Sequence, residues 1–167
     1  MTIPVAHDFT CPWCWIGFFQ VRAMQRDYGA EFDWLGYELY PDELPWPEPG
    51  PRVVETPRPK TPTRLELAYA AQGMQKPTVV RPSKMRIHNA HEAMELAKVH
   101  GVDDELVERL YRAYWERGEM INDPEVLVCL SDGILPADEL RAVISERRFA
   151  DKIVGFTRVS GRASTAA

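Results

Sequence analysis

The chain opens on a short, mostly apolar run, Ile3 to Phe9, of the kind a buried parallel strand shows. Thr10 follows in the position of a helix N-cap. From Trp13 to Tyr28 the apolar residues Trp15, Ile16, Phe19, Met24 and Tyr28 form a helical stripe that Gly29 closes. Glu31 to Tyr40 then alternates, with Phe32, Trp34, Gly36, Glu38 and Tyr40 on one side and Asp33, Leu35, Tyr37 and Leu39 on the other. That period predicts a second strand. Strand, helix and strand in this order imply a right-handed crossover and a parallel pair, which is the opening of an α/β domain.

Pro41 to Pro62 carries eight prolines, which excludes regular helix and predicts an extended linker or surface loop. Beyond it the pattern is helical. Thr63 to Met74 starts with Thr63 and Glu66 at capping-box spacing, and Ile87 to His100 is stopped by Gly101. Asp103 to Arg117 carries Leu106, Leu110, Tyr111 and Tyr114. Two further helices, from Asp123 or Pro124 to Leu130 and from Pro136 to Phe149, begin with proline or an acidic cap. Residues 1–40 are thus the strand-helix-strand half of a domain, 41–62 a proline-rich loop, 63–149 a helical subdomain and 150–167 a short C-terminal segment. Ser160 to Ala167 is small and polar, and is expected to be disordered.

With 167 residues and 45% apolar content, the chain can bury a substantial core without disulfide staples. The formal net charge of -5, with Lys and Arg scattered among acids, gives no basic footprint and argues against nucleic-acid partners. The N-terminus lacks the charged start, apolar segment and small-residue cleavage site of an export signal. No run approaches the roughly 20 apolar residues that span a membrane. A cytoplasmic protein with no membrane partner is the expectation. In that compartment three cysteines point to redox or metal chemistry and not to a disulfide scaffold.

The pair Cys11 and Cys14, in Cys11-Pro12-Trp13-Cys14, falls at the start of the first helix. Two thiols at this spacing can close a disulfide when a helical turn brings their Cβ atoms within about 4 Å. The free N–H groups and dipole of a helix N-terminus favour an anion, so Cys11 should be held as thiolate with a depressed pKa. Cys11 is then the nucleophile, and Cys14, one turn inside, resolves the mixed disulfide. Pro12 suits the first helical position, where no N–H bond is lost. Trp13 places a large amphipathic surface beside the nucleophile, for substrate contact or for plain packing.

The rival reading of the pair is half of a zinc site. His88 and His91 could complete a Cys2His2 set, but their spacing is shorter than the usual pattern. Otherwise both are surface or interface positions on their helix, with His91 on the apolar side, where it can face an active-site groove. Cys129, between Val128 and Leu130, reads as a buried small hydrophobe. His7 and Asp8 end the first strand, close enough to tune Cys11: an acid would raise the thiol pKa and a protonated histidine would lower it. Their alternative is to be solvated at the strand end.

The stretch His-Asp-Phe-Thr-Cys-Pro-Trp-Cys-Trp-Ile-Gly, the second strand and the inserted helices resemble the DsbA family, in its FrnE-like branch. Arg86-Ile-His-Asn-Ala-His91 resembles that family's helical insertion, and Ile121-Asn-Asp-Pro-Glu-Val-Leu127 with Leu135-Pro-Ala-Asp138 its later helices. The resemblance implies a thioredoxin-like fold with an inserted helical subdomain. It also implies protein disulfide or dithiol substrates, a cellular reductant or oxidant as redox partner, and no metal or organic cofactor. Family members continue into a cis-proline loop facing the cysteines, two antiparallel strands and a final helix. Here Lys152-Ile-Val-Gly-Phe156 leads only to Thr-Arg-Val-Ser and a short tail, so the expectation is a shortened second half. Ile153, Val154, Phe156 and Val159 would supply at most one weak strand. The exposed sheet edge left beside the first strand could then pair two copies as a homodimer. Two other functions stay open, a glutathione-dependent isomerase or transferase of the same superfamily and a redox-inert zinc or binding module.

Overall fold

The computed structural model describes residues 1–45, 61–82 and 85–155. Most of the proline-rich loop, the C-terminal tail, Phe156 and Val159 lie outside the described residues. The first half has the expected order: β1 (Thr2–His7), α1 (Pro12–Tyr28) and β2 (Glu31–Glu38). β1 and β2 are parallel, with Val5 opposite Trp34 and His7 opposite Gly36. The alternation read along β2 holds, because Trp34, Gly36 and Glu38 are buried while Leu35 is exposed. Pro4 and Ala6 of β1 are also exposed. Helices therefore cover the face bearing Trp34 and Gly36 and leave the opposite face accessible.

The helical half comprises α2 (Arg64–Ala71), α3 (His88–His100), α4 (Asp103–Arg112), α5 (Pro124–Leu130) and α6 (Ala137–Glu146). The capping box at Thr63 and Glu66 forms as its spacing requires. Asp123 caps α5, its carboxylate accepting from the amides of Glu125 and Val126. The expected single helix from Asp103 to Arg117 instead ends at Arg112 and continues as a π-helical turn, Ala113–Arg117, closed by Gly118. This wider turn buries Ala113, Tyr114 and Trp115 together. Trp115 Nε1 then donates to the carbonyl of Phe9 at 2.9 Å and ties the turn to the end of β1.

A single hydrophobic core joins the two halves: Trp15, Phe18 and Trp34 pack with Leu106, Tyr111 and Trp115. α3 lies on β2 so closely that a Cβ at Gly36 would come 2.9 Å from the His91 ring, which is why glycine occupies this strand position. Polar ties also cross the junction. Arg22 on α1 pairs with Asp104 on α4 at 3.1 Å, and Lys98 on α3 with Asp33 on β2 at 2.9 Å.

The C-terminal segment adds β3 (Val154–Gly155), parallel to β2, with Val154 opposite Tyr37. The sheet order is β1-β2-β3, so among the described residues β1 pairs on one side only. No helix among them is long and apolar enough to cross a membrane.

Candidate active site

After His7 the chain turns through Asp8, Phe9 and Thr10. The Asp8 carboxylate accepts from the Thr10 amide at 2.7 Å and the Thr10 hydroxyl at 2.6 Å, an Asx-type turn. The Cys11 amide donates to the Asp8 carbonyl at 3.2 Å. The turn therefore uses Thr10 to bind Asp8, and the residue at the N-cap of α1 is Cys11, not Thr10. Pro12 follows at the first helical position, where its fixed φ suits the helix and its missing N–H costs nothing.

This geometry puts both thiols in the first turn of α1, reduced and half-buried. They hydrogen-bond to each other, and this bond is the main reason the Cys11 pKa falls from 9.0 to about 6. The amide N–H groups of Cys14 and Trp13 add to the effect, while burial and the Asp8 charge oppose it. The Cys14 pKa moves the other way and rises well above the ordinary thiol range, first because its proton is held by Cys11 and next because it is buried. One sulfur is poised as an anion and the other is kept as an acid.

Asp8 is not solvated, as a strand-end acid was expected to be. It is 2% exposed, and its second carboxylate oxygen accepts from the Leu39 amide at 3.0 Å. Burial raises its pKa, against the hydrogen bonds from Thr10 and Leu39. His7 is likewise buried, with Nδ1 3.1 Å from the Tyr111 hydroxyl. Burial lowers its pKa well below 6.5, so it is neutral near pH 7 and supplies no cation to Cys11.

His88 and His91 are both buried, where the sequence reads as placing them at surface or interface positions with His91 on the apolar side of their helix. His88 sits between the carboxylates of Glu38 at 3.3 Å and Glu92 at 3.2 Å, and Glu92 also accepts from the Phe149 amide at 2.8 Å. His91 is 0% exposed, 5.3 Å from the rings of His7 and Phe9, with its pKa lowered to about 3 by burial. It faces the core and cannot touch substrate. Among the described residues no group of three or more His, Cys, Asp or Glu side chains could hold a metal ion. Glu38 and Glu92 are themselves buried, at 5% and 0% exposed, and the pattern of the sequence does not single them out.

Trp13 points outward, 52% exposed, while Trp15 is 2% exposed beneath the pair. Cys129 is exposed on α5 and lines a surface groove with Arg109 and Arg112, which corrects the buried position expected from its apolar neighbours. α5 has only seven residues and fully buries just Leu127; Val128 and Leu130 pack partly on the core, and Cys129 between them faces outward. Cys129→Ala is therefore expected to change stability by no more than about 0.5 kcal/mol and to leave turnover unchanged. Urea melts with a disulfide-reduction assay check this, and a large fall in turnover at unchanged stability would reveal a third redox thiol.

The family model of the DSBA-like thioredoxin domain matches residues 2–159. The fold is similar to the crystal structure of a probable DsbA oxidoreductase, SCO1869, from Streptomyces coelicolor, at 26% identity and a TM-score of 0.64, covering 100% of this chain and 76% of that one. It is also similar to the cytosolic disulfide reductase DsbM from Pseudomonas aeruginosa with GSH, at 18% identity and a TM-score of 0.66, covering 100% of this chain and 83% of that one. No curated protein matches. The α/β fold is thus thioredoxin-like, as the resemblance implied.

Proposed function

The chain belongs to the family of DSBA-like thioredoxin domains, and from that premise we propose that it exchanges disulfides with protein substrates through Cys11 and Cys14. The observation that carries this reading is the mutual hydrogen bond of the two thiols at the start of α1, which lowers one pKa and raises the other. The Cys11 thiolate attacks one sulfur of a substrate disulfide. That S–S bond breaks, a Cys11–substrate disulfide forms, and the released substrate thiolate takes up a proton. Cys14 then gives up its proton and attacks the Cys11 sulfur. A Cys11–Cys14 disulfide forms and the second substrate sulfur leaves, so the pair has passed two electrons to the substrate, whose two thiols take one proton from Cys14 and one from solvent. A cellular thiol reduces the pair again, or an oxidant drives the cycle in reverse.

Pro12 presets the first helical turn, and exposed Trp13 is the contact for the incoming peptide. Asp8 is the tuning residue, because its charge raises both thiols. His91 acts at most through its packing on Phe9. We place the reaction in the cytosol, with glutathione as a candidate reductant, by analogy with the cytosolic P. aeruginosa reductase solved with GSH. The likeness to the FrnE-like branch supports protein substrates over small ones.

The test is reduction of a model protein disulfide by the dithiol form, together with the pH profile of Cys11 alkylation. A lowered pKa keeps the thiolate present above about pH 6 and loses it below. Alkylation is expected to rise through a midpoint near that pH. A midpoint near 8.5, the value of an unperturbed thiol, with no protein disulfide reduced, overturns the reading. Metal analysis of the same sample separates exchange from a redox-inert zinc module. A redox titration of the pair then gives the direction in which it works.

A further inference from the structure

A groove of about 380 Å³ lies along α1 past the cysteines, and the exchange chemistry makes no use of it. Trp15 and Phe19 form its floor, and Met74, Val79 and Trp115 its walls. Although Trp15 is 2% exposed, its indole Nε1–H has no acceptor among the described residues. A buried donor left unpaired carries a desolvation cost that a bound acceptor would remove.

One cation lines the groove and a second lies beside it, in a chain of net charge -5. Lys76 lines it, and the Arg81 guanidinium lies 4.3 Å over the Trp115 ring, bonded to the Val79 carbonyl and the Tyr114 hydroxyl. Neither cation belongs to an ion pair among the described residues. The acid on the rim, Glu116, is already paired with Arg112 at 2.8 Å. The groove starts one helical turn from Cys11. The Trp15 amide donates to the Cys11 carbonyl, which sets Trp15 one turn along the same helix face, and Tyr69 feels the charges of both Cys11 and Arg81.

We propose that this groove docks the polypeptide flanking the substrate's cysteine, as an extended segment that carries an apolar side chain and a carboxylate. The apolar side chain packs between Trp15, Phe19 and Trp115. A backbone carbonyl of the segment accepts from Trp15 Nε1, and the carboxylate meets Arg81 and Lys76. This rests on the reading of Cys11 and Cys14 as the exchange site and adds to it the substrate class, an acidic protein disulfide.

Two peptide disulfides that share a leucine and differ only in flanking Glu or Lys test the proposal. The protein is expected to reduce the acidic peptide with a kcat/KM about tenfold above the basic one, and the preference should shrink as salt screens it. Arg81→Gln and Lys76→Gln each reduce the acidic-to-basic ratio, and the double variant brings it close to one. Lys76 is exposed, so its variant tests the charge without risk to the fold. Trp15→Phe keeps the ring and removes the N–H, so both peptides should weaken alike, by about three- to tenfold, with the ratio retained. Peptides with serine in place of cysteine report binding without exchange, by fluorescence anisotropy. Equal reduction of both disulfides, with no binding of the serine peptides, overturns the groove and leaves the exchange reading standing. Selective binding of the acidic serine peptide, with neither disulfide reduced, supports the groove and overturns the exchange reading.

Discussion

Cys11→Ser is expected to lose protein-disulfide reduction by about 1,000-fold or more, the scale on which removal of a covalent nucleophile is felt. The serine hydroxyl stays protonated at pH 7 and cannot take the place of a thiolate whose pKa is about 6. Cys14→Ala is expected to fail differently. The first attack still occurs, but nothing resolves it, so the variant accumulates one mixed disulfide per chain, visible by mass spectrometry and released by dithiothreitol. It carries a second signature as well. Because the hydrogen bond from Cys14 is the largest reason the Cys11 pKa is low, its removal moves the alkylation midpoint of Cys11 upward from about pH 6. The two amide N–H groups remain, so the midpoint should stop short of the ordinary 8.5. If Cys14 were instead the faster-alkylated thiol of the native pair near pH 7, the roles would be exchanged.

The cysteine pair was legible because its chemistry is local: proline and two thiols at the mouth of a helix need only the first turn of α1. The βαβ opening was legible for the same reason, since β1, α1 and β2 each declare their period within one segment. What escaped the sequence depends on distant partners. Asp8 looked solvated because a strand end usually is, yet the Leu39 amide, 31 residues on, gives its carboxylate a buried donor. His88 and His91 read as surface or interface positions, with His91 on the apolar side of the helix. In the fold Glu92 is itself buried, held by His88 and the Phe149 amide. Cys129 misled in the opposite sense: its neighbours Val128 and Leu130 do pack against the core, yet the short helix turns Cys129 itself to solvent. Arg81 lies in a stretch without periodicity, and only its stacking on Trp115 gives it a place in the fold.

The π-helical turn supplies the last and most demanding test, at the residue that ends it. Gly118 has φ 70, a left-handed conformation that a side chain occupies at a cost, and a Cβ there would sit 2.4 Å from the Val80 carbonyl oxygen. The obstacle is backbone, so no rotamer change relieves it. Gly118→Ala is expected to lose about 2 to 5 kcal/mol, from strain at positive φ and from overpacking against a fixed group. In a chain of this length that lowers Tm by about 4 to 20 °C. Gly29 is the internal control. It ends α1 at φ 63 with nothing within 4 Å of a Cβ, so Gly29→Ala pays the strain alone and should lose only about 1 kcal/mol. The difference between the two melts isolates the contact between the π-helical turn and the segment at Val80. That segment carries Val79 and Arg81, so Gly118→Ala should also weaken the acidic-peptide preference while Gly29→Ala preserves it. Equal melting of the two variants would mean that Val80 does not pack on Gly118, and that the wall beside Trp115 is not held where this fold places it.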